Sequence, residues 1–187
     1  MYRKCFLDYD HNFFVEQEYK QEPTSCIKHQ INELDDIHKK YGGFPETYTF
    51  ANTKIHQLWY TKEQIDFDAI GKQLGVEVVT VSSIKQPPGQ VVPLHRDTFF
   101  QIKKKFPNDK RLKVRANIYL QDWKMGQFIQ YDDNVDVKWK AGDGHIWDSN
   151  VLHVSANAGF NDKYTLQVSG FLLYSNSYSF IPYPTKT

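Results

Sequence analysis

Cysteine is scarce in this chain, with two residues, Cys5 and Cys26, among 187. No CxxC pair and no Cys/His cluster is present, which excludes a zinc finger or ribbon and any dense disulfide scaffold. The two thiols read as isolated buried groups in a reducing compartment, with a single disulfide as the alternative. Net charge is also nearly absent: 23 Lys and Arg against 22 Asp and Glu leave +1. A charge so balanced supplies no global field to recruit nucleic acid or an anionic membrane. Long apolar runs are missing too. The opening MYRKCFLDYD has no apolar signal core and nothing reaches membrane-spanning length, so a soluble, cytoplasmic protein is expected. Internal repeats, low-complexity tracts and linkers are not found, and the length suits a single domain over residues 1–187.

Aromatic residues are abundant, at 16%. They suit a β-rich fold with a large apolar interior. Residues 1–75 read as a helical N-terminal part. Ile27, Ile31, Leu34, Ile37 or His38, and Tyr41 recur at helical spacing after Pro23-Thr24-Ser25 and stop at Gly42-Gly43. A second helix is expected from Thr61, with Gln64 in capping-box register, through Ile65, Ile70 and Leu74 to Gly75. Residues 76–174 change to short β-type runs. Turn signals separate them at Pro87-Pro88-Gly89, Pro107-Asn108-Asp109, Asp132-Asp133-Asn134, Ala141-Gly142-Asp143-Gly144 and Ala158-Gly159. About eight strands at this spacing predict a jelly roll with helices packed on one sheet. Residues 175–187 form a C-terminal tail, open between a cover for the cavity mouth or a sheet edge and a subunit contact.

Two strands carry an informative face assignment. Val114, Ala116, Ile118 and Leu120 alternate with Arg115, Asn117 and Tyr119; Tyr164, Leu166 and Val168 alternate with Lys163, Thr165, Gln167 and Ser169. In an ordinary half-buried sheet the polar face would meet water. With amphipathic helices available to cover the apolar faces, the polar faces are instead expected to line a cavity.

The chemistry concentrates at His95-Arg96-Asp97, answered by His153 and then Lys163. A histidine and a carboxylate two apart on a strand point the same way and can share one metal ion. A second histidine from a distant strand completes a two-His, one-carboxylate face, the ligand set of non-haem Fe(II) oxygenases. His145 competes as the third ligand, although its register beside Trp147 reads as strand packing. Arg115 and Asn117 stay open between gripping a ligand and bracing the cavity wall, and Arg96 between closing over substrate and a salt bridge at the rim. Thr98–Lys110 is long enough to act as a lid, and its lysines read as a solvated face.

The ordered set from His-x-Asp through Ile118-Tyr119-Leu120-Gln121-Asp122-Trp123, Gly126-Gln127-Phe128, Gly142-Asp143, Trp147 and His153 to Lys163-Tyr164-Thr165-Leu166-Gln167-Val168 carries a resemblance. From about Val91 to Leu173, a little under half of the chain, these elements resemble the double-stranded β-helix of the Fe(II)/2-oxoglutarate-dependent dioxygenases, of the prolyl 4-hydroxylase type. Gly126 matches only part of the family's double-glycine element, since Gln127 follows it. The resemblance implies a mainly β, cupin-like jelly roll with the N-terminal helices on the major sheet. It implies His95, Asp97 and His153 as the iron ligands. Lys163 then binds the distal carboxylate of 2-oxoglutarate, supported by Tyr119 and assisted by Thr165, with Asn117 and Arg115 as further contacts. The implied cofactors are Fe(II), 2-oxoglutarate as cosubstrate and ascorbate as an accessory reductant. The implied reaction hydroxylates an unactivated C–H bond, with succinate and CO2 as coproducts. Retention of Asp97 favours hydroxylation over halogenation, which needs that position free for halide. The lysine anchor points toward a prolyl or other amino-acid residue, in a peptide or free. Rival readings are a cupin-type metalloenzyme that uses no 2-oxo acid, a non-enzymatic jelly-roll binding module, and a nucleic-acid demethylase of the same superfamily, which would be expected to show a more basic face than a net +1 offers.

Overall fold

Strand-type alternation buries one side chain in two, so each strand must find a second apolar layer. The computed structural model of the chain describes residues 1–20, 23–25 and 35–173. Its strands are β1 (Tyr2–Phe6), β2 (Thr24–Ser25), β3 (Lys54–Tyr60), β4 (Val76–Gln86), β5 (Gln90–His95), β6 (Lys113–Tyr119), β7 (Gln127–Tyr131), β8 (Asn134–Asp136), β9 (Asp143–Asp148), β10 (His153–Asn157) and β11 (Lys163–Leu172). The helices are α1 (His11–Val15), α2 (Asp35–Lys40), α3 (Phe67–Leu74) and α4 (Phe100–Lys105). Two antiparallel sheets face each other, a major one in the order β1-β9-β6-β11-β4-β3-β2 and a minor one in the order β5-β10-β7-β8. This is the expected jelly roll, and its eight strands from Val76 onward match the spacing of the turn signals.

The outer face of the major sheet carries the main core. Val114, Ala116, Ile118, Leu120, Leu166 and Val168 pack with Phe67, Ile70 and Leu74 of α3 and with Phe14 of α1. The helices therefore cover the apolar faces of β6 and β11, and the opposite faces turn inward between the sheets. A second cluster fills part of that interior: Tyr119, Ile129, Tyr131, Trp139, Trp147 and Val151.

The N-terminal 75 residues are less helical than expected. β1 joins the sheet beside β9, and β3 joins beside β4. The second helix begins at Phe67, capped by the Asp66 carboxylate, rather than at Thr61. Gln64 Oε1 does accept from the Thr61 N–H at 2.8 Å, but this pair closes a separate turn. Gly75 ends the helix at φ 69°, the left-handed conformation in which glycine carries no Cβ penalty. Of the first expected helix only α2 falls among the described residues, followed by Gly42 and Gly43 at positive φ. Its earlier turns, Cys26 and the tail from 174 lie outside them. Cys5 is a buried thiol, pushed by burial up to about 12. Among the described residues no helix is long and apolar enough to cross a membrane.

β11 and β4 shift register between Ser169 and Gly170. A Cβ at Gly170 would sit 1.9 Å from the Glu77 carbonyl oxygen, so any side chain must push the two strands apart. Gly170→Ala is expected to destabilise the fold by about 1–3 kcal/mol, the usual range for overpacking. Thermal unfolding checks this, and an unchanged midpoint would contradict the close approach.

Candidate metal centre

His95 ends β5, and His153 begins β10. The two strands pair with these residues directly opposite each other, so their rings lie 4.1 Å apart between centroids. Asp97 lies just past the end of β5 and not on the strand, a correction to the simple two-apart argument. The chain leaves the sheet there but still turns the carboxylate toward the histidines. Ligand atoms of His95, Asp97 and His153 all lie within 4.8 Å of one another.

The hydrogen bonds of the imidazoles decide which nitrogens remain. His95 Nδ1 sits 2.8 Å from the Pro93 carbonyl oxygen, and His153 Nδ1 sits 3.2 Å from that of Val151. A carbonyl only accepts, so each Nδ1 carries the proton and each Nε2 keeps its lone pair. Burial pushes both histidines below their ordinary range, His153 to about 3, where the neighbouring His95 adds to the effect. The rings are therefore neutral at physiological pH and available as ligands. Burial alone pushes the Asp97 carboxyl up, but Arg115, His153, His95 and the Trp147 N–H together hold it below the usual carboxylate range. One anion and two neutral imidazoles, each fixed by a backbone carbonyl, fit a divalent transition metal.

The three residues lie in the wall of a cavity of about 500 Å³ between the sheets. Asn117, Thr165, Gln167 and Ser169 line it from the inner faces of β6 and β11, as the alternation predicts. Trp59 and Phe100 lie half exposed along it, and Phe100 belongs to α4, which occupies part of the expected Thr98–Lys110 loop. Arg96 also lines the cavity and pairs with Asp36 at 3.2 Å.

Other expected site residues are placed differently. Lys163 is 3% exposed but is not a lining residue. Its Nζ donates to Ser155 Oγ at 2.5 Å, to the Phe128 carbonyl at 3.1 Å and to the Ala156 carbonyl at 3.3 Å. Ser155 does line the cavity and in turn donates to Gln86 Oε1 at 2.8 Å. The ammonium thus stands one hydroxyl behind the wall, and burial pushes it down to about 7. Tyr119 is not beside it. The Tyr119 hydroxyl donates to Asp136 at 2.5 Å, and its ring stacks on Trp139 at 4.0 Å. Although Tyr119 pairs with Thr165 across the sheet, the stack turns it away from the cavity. The tyrosine at the wall is Tyr131, whose buried hydroxyl has no well-directed hydrogen bond. Its signal was the Ile129/Tyr131 alternation in β7, which places both on one face. His145 stacks on Tyr2 and lies 3.4 Å from Asp136, apart from the ligand group. Trp147, Ser155 and Gln86 were not singled out as site residues.

Fold and site together define a double-stranded β-helix protein with a His-Asp-His face inside its barrel. No protein-family model matches the chain, and no curated protein matches it. Solved structures share the fold at low identity. A Pseudomonas putida prolyl-4-hydroxylase is 17% identical, with 91% of each chain covered and a TM-score of 0.51. A viral collagen prolyl hydroxylase of Paramecium Bursaria Chlorella virus-1, solved as a 2OG complex, is also 17% identical over 90% of this chain and 94% of that one, at 0.51. The non-heme alpha ketoglutarate dependent carbocyclase SnoK from nogalamycin biosynthesis is 13% identical over 91% of this chain and 79% of that one, at 0.55.

Proposed function

We propose that the chain is an Fe(II)- and 2-oxoglutarate-dependent oxygenase that hydroxylates an unactivated C–H bond of a prolyl or other amino-acid residue, free or in a peptide. The observation that carries the metal part is the convergence of two Nε2 atoms and one buried carboxylate, each held from behind, at the wall of a substrate-sized cavity. Bound Fe(II) would supply oxygen activation coupled to decarboxylation of the 2-oxo acid, which yields succinate and CO2. The chain's own residues hold that metal, shape the cavity and exclude water. A carboxylate would reach the Lys163 ammonium by taking the place of Ser155 Oγ, the one of its three acceptors that lines the cavity. Thr165 and Asn117 offer hydrogen bonds from the major sheet, and Tyr131 from the minor sheet.

A second reading has an observation behind it. The Lys163 ammonium already has three acceptors and Tyr119 is engaged elsewhere, which suits a metalloenzyme of this barrel that uses no 2-oxo acid. One experiment separates the two. Anaerobic addition of Fe(II) and 2-oxoglutarate is expected to produce a weak visible charge-transfer band, and admission of air to produce succinate. Metal binding without band or succinate favours the second reading. Screening proline-containing peptides and free amino acids for a mass gain of one oxygen then identifies the substrate.

A further inference from the structure

The inner face of β3 extends the cavity beyond the metal centre. Ile55, Gln57 and Trp59 alternate along this strand, and all three line the open space. Gln57 pairs with Ile84 of β4, and Ile84 with Thr165 of β11, so the three side chains stand in one row across the major sheet. Ile55 and Ile84 pack in turn with Val92 of β5, the strand that ends in His95. The face of β3 is thus a platform that leads from Trp59, 48% exposed, to the strand carrying a candidate ligand. From Ile55 to Trp59 the strand advances four residues, about 14 Å at the usual rise. An extended chain gains about 3.5 Å per residue, so the platform matches about four residues of peptide. A free amino acid would cover a fraction of it.

The charges around this space are already paired. Among the described lining residues Asp97 is the sole carboxylate, and Arg115 lies 2.9 Å from it. Arg96 pairs with Asp36 at 3.2 Å. The ammonium of a free amino acid would enter without an anion to meet it, and burying an unpaired charge is costly. A residue inside a peptide brings neutral amides instead, and the wall offers neutral partners. Gln57 Nε2 donates to Ser82 Oγ at 2.9 Å, which fixes that amide and leaves its oxygen to accept. Gln101 of α4 adds a second amide, and Phe100 beside it a half-exposed ring. Resting on the hydroxylase reading above, we propose that β3 is the specificity strand of the site. Trp59 and Gln57, with Phe100 of α4, hold an uncharged peptide segment of about four residues, and free amino acids are rejected. The rings supply affinity by burying apolar surface, and the lack of an unpaired anion discriminates against zwitterions.

Binding without turnover tests this. The chain, with Mn(II) present, is titrated with a library of N-acetylated, C-amidated tetrapeptides of uncharged residues and with the same residues as free amino acids. At least one blocked peptide is expected to bind about 10-fold or more tighter than any free amino acid. Trp59 is exposed whereas Trp139 and Trp147 are buried, so that peptide is expected to change the tryptophan emission and Trp59→Phe to lose most of the change. In calorimetry Trp59→Ala is expected to weaken the peptide about 10-fold. Phe100→Ala carries the same test from α4 if Trp59→Ala does not fold. A free amino acid that binds as tightly, a library with no binder, or unchanged peptide affinity in the folded variants overturns the specificity strand. Each of these leaves the hydroxylase reading to the charge-transfer band and succinate. Peptide binding by a chain that gives neither band nor succinate upholds the strand and overturns the hydroxylase reading.

Discussion

Asp97→Asn is expected to lower metal affinity by more than 100-fold and to weaken the metal-free fold as well. Even partners behind a metal ligand are worth 10–100-fold when removed, and Asp97 supplies the only anion of the face. The second effect follows from what the carboxylate does without metal. It neutralises Arg115, whose side chain is 19% exposed. Stripping one partner from a buried ion pair leaves an uncompensated charge and costs about 3–5 kcal/mol. For a chain of this size that corresponds to a drop in Tm of roughly 6–20 °C. Combining Asp97→Asn with Arg115→Met removes the orphaned cation, so the double variant is expected to regain much of the stability and none of the metal affinity. The two are in contact, so their effects are not expected to add. Titration with Fe(II) under anaerobic conditions and thermal unfolding without metal measure the two effects separately. An Asn variant that binds metal within a few-fold of wild type would remove Asp97 from the site.

Lys163→Met is expected to weaken 2-oxoglutarate binding on the order of 100-fold while metal still binds. An ion pair of 3–5 kcal/mol and a tenfold change per 1.4 kcal/mol set that scale. The same residue predicts a pH signature. Burial pushes its ammonium down to about 7, against about 10.4 for a lysine in the unfolded chain. Between these values the unfolded state binds more protons, so stability rises with pH across that window. Below about 7 the ammonium is charged in both states and the full cost of burying it is felt. Wild type is therefore expected to gain stability relative to Lys163→Met as pH rises from 7 to 9. Affinity for the dicarboxylate runs the other way and falls above pH 7, because the neutral amine must first take up a proton. Thermal unfolding and calorimetric titration at pH 7, 8 and 9 check both trends. Parallel pH profiles for the two proteins would mean that Lys163 is charged throughout. Unchanged cosubstrate affinity in the variant would favour the reading without a 2-oxo acid.

Much of the site was legible because alternation is a local property. Val114, Ala116 and Ile118 had to share one face of β6, and Arg115, Asn117 and Tyr119 the other, whatever the strand paired with. The pairing of His95 with His153 was only an expectation, since the two are far apart in the chain. The structure supplies it as a cross-strand register. Helix boundaries were read less well. The turn from Thr61 and the helix from Asp66 each carry their own capping signal, and the two merged into one expected element. β1 and β3 were missed because edge and near-edge strands of a large sheet need little apolar alternation of their own.

The sequence by itself determined the jelly roll, the inward polar faces and the ligand types, because side-chain period and chemical identity belong to the residues alone. Only the tertiary structure decided that Tyr131 and not Tyr119 meets the cavity, that Ser155 stands between Lys163 and the open space, and that Arg115 grips Asp97. A face assignment says which side of a sheet a residue occupies. Its depth along the barrel and its partner depend on how the two sheets twist and close over each other, which no single strand encodes.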